Sequence, residues 1–60
     1  MNKIKKYRVL KDVTQEEVAN VLNIRQHTYS LKEQGKAKFT LEEAIILAKY
    51  YDMTVEELFC

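Results

Sequence analysis

Three times in this chain a threonine stands three residues ahead of a glutamate: Thr14 and Glu17, Thr40 and Glu43, Thr54 and Glu57. That is the spacing of a capping box, in which the hydroxyl accepts an orphan N–H of the first helical turn and the carboxylate reaches back to the N–H of the capping residue. Each pair predicts a helix start. There is no proline, and Gly35 is the one glycine, so little in the chain interrupts a helix once begun. No alternating apolar pattern is long enough for a strand. The expectation is an all-α fold, a compact bundle of five helices.

In chain order, Ile4, Tyr7, Leu10 and Lys11 lie along one side of a short amphipathic helix, with Lys3, Lys5 and Lys6 around the rest. Asp12 follows, one of the few side chains that can enter the left-handed region, and Val13 leads into the next helix as a core residue. From Thr14, Val18, Ala19, Val21 and Leu22 form an apolar stripe that ends at Asn23, another residue tolerant of the left-handed turn. Ile24 is a plug between helices. From Arg25 a second short helix runs with polar residues that a core-only helix would not need, and Gly35 closes it. Two helices of roughly eight to ten residues about a three- to four-residue turn make a helix-turn-helix arrangement. Beyond the second box, LEEAIILAKYY is apolar on more than one side. Its expected inner face is Leu41, Ala44, Ile45, Ala48 and Tyr51, with Ile46, Leu47 and Tyr50 in surplus. A fifth helix ends in Leu58 and Phe59.

The runs TQEEVANVL, NI, RQHTYS and EQGK, spaced as they are between Thr14 and Lys36, resemble the phage repressor and Cro group of helix-turn-helix proteins, the XRE family. The likeness extends from about Ile4 to Phe59, and helices 2 and 3 would form the motif. It implies a protein that binds double-stranded DNA by placing the third helix, around Gln26 to Gln34, in the major groove. Gln26 would be the base-reading glutamine, whose amide can pair bidentately with adenine. His27, Ser30 and Leu31 would read further along the same face, Leu31 by apolar contact with a thymine methyl. Gln15 would touch a phosphate and buttress Gln26. Arg25, Thr28, Lys32, Lys36 and Lys38 would hold the sugar-phosphate chain, contacts that position the protein without specifying sequence. Arg8 and Glu33 would form a structural ion pair between the first and third helices. Two departures stand out. The family usually carries a large apolar residue where this chain has Lys32, a swap that could turn the reading face, and a small hydroxyl residue where it has Arg25.

The formal charge is only +1, but it is unevenly spread. Residues 1–38 hold nine basic against four acidic side chains, +5, and residues 39–60 hold one against five, −4. Such a chain can turn a basic face to phosphate. One such domain covers half of a usual operator, so a homodimer is expected, with Ile46, Leu47, Tyr50 and Phe59 as its contact. A length of 60 residues suits one domain, 1–60. The lone Cys60 fits a reducing compartment, and there is neither an apolar run of spanning length nor a secretory leader, so a cytoplasmic protein is expected. No catalytic constellation, metal-ligand set, cofactor motif or small-molecule site is evident; the paired glutamates are helix-start residues favoured by the dipole. The expected function is a transcriptional repressor. The alternative is a protein-interaction module of the same shape, antitoxin-like or an anti-repressor partner, which near-neutral charge also suits.

Overall fold

The computed structural model describes residues 2–60 and contains five helices: α1 (Ile4–Lys11), α2 (Gln15–Leu22), α3 (Gln26–Glu33), α4 (Leu41–Tyr50) and α5 (Val55–Phe59), with no strand among the described residues. The threonine starts form as expected. Thr14, Thr40 and Thr54 accept from the N–H groups of Glu17, Glu43 and Glu57 at 3.0, 3.1 and 3.0 Å. Glu43 and Glu57 complete the box by accepting the N–H of Thr40 and of Thr54, both at 2.9 Å. Glu17 instead accepts the Thr14 hydroxyl at 3.3 Å, so the box at α2 is half made.

Four helices stop in the same way. Asp12, Asn23, Gly35 and Asp52 take φ of 59°, 58°, 81° and 56°, the left-handed region. The next N–H then reaches back to the last turn: Val13 to Arg8 O at 3.2 Å, Ile24 to Ala19 O at 3.0 Å, Lys36 to Leu31 O at 2.9 Å and Met53 to Ala48 O at 2.8 Å. This is the Schellman closure, which usually drops an apolar residue onto the helix just ended. Val13, Ile24 and Met53 do so, packing against the core, whereas Lys36 is exposed.

The core gathers Ile4, Val18, Ala19, Leu22, Tyr29, Leu47 and Leu58, one or more from every helix. The N–H of Lys3 donates to Leu58 O at 3.1 Å and ties the chain ahead of α1 to α5.

Two faces differ from the sequence expectation. On α1 the inward residues are Ile4, Tyr7 and Arg8, while Leu10 is 69% exposed and Lys11 lays its ammonium 5.1 Å from the Tyr50 ring centre. On α4 the buried residues are Ala44, Leu47 and Ala48; Leu41 is 73% exposed and Ile45 is exposed as well. Leu47 therefore cannot be a dimer contact, because its side chain has no surface left to offer. The physical reason is that α4 is apolar nearly all round, so periodicity does not select a face and packing against α2 and α5 does.

Candidate nucleic-acid interface

The orientation of α3 follows from one carboxylate. Glu33, its side chain 3% exposed, accepts Arg8 Nε at 2.9 Å and Nη2 at 3.4 Å, Tyr29 Oη at 2.6 Å and Gln15 Nε2 at 3.1 Å. Arg8 also donates from Nη1 to Val13 O at 3.0 Å. A single anion thus ties α1, α2 and α3, and Arg8 extends the tie to the connection after α1. Burial alone would raise the Glu33 carboxyl, but the hydrogen bonds from Arg8, Tyr29 and Gln15 outweigh it and hold the group below the usual range. The same bond to Glu33 raises Arg8, and burial raises the Tyr29 phenol, so both stay protonated.

Because Tyr29 and Glu33 lie four residues apart, both point into the protein and fix which face of α3 remains outside. Gln26 and His27 are exposed on the first turn, while Thr28, Ser30 and Leu31 are partly exposed. The Lys32 departure does not turn the helix, since Glu33 is seated on Arg8. Arg25, the residue capping α3, is exposed and its side chain makes no cap hydrogen bond. Lys36 and Lys38 are exposed in the loop that follows.

One expectation needs correction. Lys32 does not face outward to phosphate: its side chain is 12% exposed and Nζ lies 2.6 Å from Glu43 Oε1 on α4. That carboxylate also caps Thr40. Burial opposes its charge, yet Lys32 and Thr40 together hold it below the usual range. Gln15 gives its amide nitrogen to Glu33, and no hydrogen bond joins it to Gln26 among the described residues.

Sequence reasoning also missed Gln34, which is exposed and donates to Ser30 Oγ at 3.0 Å. The signal was present in the four-residue spacing of Gln26, Ser30 and Gln34, a polar row along the outer face. The Tyr29 bond to Glu33 was legible from the same spacing. Among the described residues no group of acidic, histidine or cysteine side chains is placed to hold a metal ion, and no helix is long and apolar enough to cross a membrane.

Comparison with known proteins agrees with this arrangement. A family model described as helix-turn-helix matches residues 4–58. An HTH-type transcriptional regulator of Methanocaldococcus jannaschii is 36% identical over 58 residues, 97% of this chain and 88% of the relative. The cryptic phage CTXphi transcriptional repressor RstR of Vibrio cholerae is 40% identical over 57 residues, 95% of this chain but 51% of the relative, so the chain spans about half of that protein. The chain belongs to the helix-turn-helix family of XRE type, DNA-binding transcription regulators.

Proposed function

We propose that the chain is a sequence-specific repressor that binds a two-fold operator as a homodimer, with α3 in the major groove. Gln26 and His27 read base edges from the first turn, and Ser30 and Leu31 read from the second. Arg25, Lys36 and Lys38 hold the phosphates, with Thr28 beside them. The observation that carries this reading is the closure of α3. Three closures seat Val13, Ile24 and Met53 on the core, whereas the one beside the outer face of α3 leaves Lys36 exposed. The position that usually carries an apolar residue carries an exposed cation here, with exposed Lys38 on the same loop, and this favours a phosphate contact. The name of the phage relative, a transcriptional repressor, supports repression.

The dimer contact belongs at the start of α4. There exposed Leu41 borders a groove of about 430 Å³ whose lining includes Ala37, Phe39, Ala44 and Phe59. A two-fold axis at this edge would let each Leu41 enter the other copy's groove. Phe59 keeps a place in the contact as a groove wall. Ile46 and Tyr50 are packed on the core and do not line this groove.

The test is selection of bound duplexes from a randomised pool at moderate salt, followed by sequencing. Two mirror-related half-sites about one helical turn apart are expected. Gln26→Ala then relaxes one position at a cost of roughly 1 to 3 kcal/mol, and Lys36→Ala weakens all sequences alike. A flat pool would refute the DNA-reading role and leave the protein-interaction module as the reading to pursue.

A further inference from the structure

We propose that Gln34 is a positioning residue that sets which hydrogen-bonding role Ser30 presents to DNA. The inference rests on the major-groove placement of α3 proposed above. A serine hydroxyl has one proton and two lone pairs, so unassisted it reads donor and acceptor base edges alike. Here Gln34 Nε2 donates to Ser30 Oγ at 3.0 Å, and among the described residues Ser30 Oγ has no other partner. One lone pair is therefore occupied from the C-terminal side. An oxygen that accepts a hydrogen bond becomes a stronger donor through its own proton. That strengthened proton, with one lone pair beside it, is what remains for the outer face, along the row that starts at Gln26. The pair should favour base edges that accept there, guanine N7 and O6 or thymine O4, over the amine of cytosine.

The decisive change is Gln34→Glu. A carboxylate has no proton to give, so it must take the proton of Ser30 and turn the oxygen lone pairs outward. Preference at that one position should then pass to edges that donate, cytosine N4 or adenine N6. Overall affinity will fall through repulsion of phosphate, but the ratio between bases at one position is insensitive to that. Gln34 is exposed and lies outside the core cluster, so the variants should fold, which circular dichroism checks.

The experiment is the same pool selection with the unaltered chain and with Gln34→Glu, Gln34→Ala, Ser30→Ala and the Ser30→Ala/Gln34→Glu double variant. The unaltered chain should favour an accepting edge at one position by about 5- to 10-fold. Gln34→Ala should bring that preference within about twofold, and Gln34→Glu should invert it. Both variants carrying Ser30→Ala should be flat there. An unchanged position in Gln34→Glu, with the rest of the half-site intact, would overturn the proposal alone. Inversion that survives Ser30→Ala would overturn it too, by making residue 34 the reader. A flat pool for the unaltered chain would overturn this inference together with the DNA reading itself.

Discussion

Replacing Glu33 by glutamine tests how α3 is held. The substitution keeps the volume but exchanges one accepting oxygen for an amide that donates. Arg8, its side chain 14% exposed, Tyr29 and Gln15 all point donors at this site, so at least one of them loses its acceptor. Removing one partner of a buried pair costs about 3 to 5 kcal/mol, and the remaining amide oxygen brings the expectation to the lower end, about 3 kcal/mol. At about 0.05 to 0.15 kcal/mol per residue, a chain this size has roughly 3 to 9 kcal/mol in all. The thermal midpoint should fall by about 12 to 24 °C. Urea unfolding at neutral pH, followed by circular dichroism, gives the number directly. A cycle with Arg8→Met should show the double variant losing at least 1 kcal/mol less than the sum of the singles, order of magnitude. The acid limb gives a second readout. Since the folded Glu33 carboxyl is held below its ordinary value, its stabilisation is present above the unfolded value of about 4.3 and is lost as pH falls through the folded value. Glu33→Gln should flatten that part of the slope, leaving the shallower part due to Glu43 and Glu57, which are also depressed. A loss below about 1 kcal/mol, or strict additivity with Arg8→Met, would refute the idea that this carboxylate organises the helices.

Three further outcomes are expected. The Tyr51 hydroxyl is buried without a hydrogen-bond partner among the described residues, and burial pushes its phenol up to about 12, so Tyr51→Phe should stabilise by about 1 kcal/mol in urea unfolding at unchanged slope. A loss of stability instead would mean that the hydroxyl is satisfied in solution. Asn23→Ala should cost about 1 kcal/mol because alanine pays for φ of 58°, while Asn23→Gly should be neutral or stabilising by the same thermal assay. Leu41→Lys should leave folding unchanged, given 73% exposure, and shift sedimentation towards the monomer; an unaltered dimer would move the contact elsewhere.

What the residues revealed in advance was mostly local. Helix starts at Thr14, Thr40 and Thr54 and stops at Asp12, Asn23 and Gly35 involve groups within six residues of one another, and the chain specifies them without the rest of the fold. The Arg8 and Glu33 contact is long-range and came through family resemblance, not through any spacing rule. The inner face of α4 was misjudged at Leu41 and Ile45, because consecutive apolar residues erase the periodicity from which a face is inferred. Lys32 was misplaced for a different reason. Glu43 already had a legible task at Thr40, and its second task on Lys32 depends on how α3 lies against α4. The Gln15 bond to Glu33 also depends on how α2 lies against α3.

The two anchors of α3, Tyr29 and Glu33, occupy positions that none of the proposed readers uses. Positions 26, 27, 30 and 31 can therefore be rewritten while the helix stays moored. A library varied at those four places and constant at 29 and 33 should yield folded members with divergent DNA preferences. The same separation would let a lineage of such regulators change target without passing through an unstable intermediate.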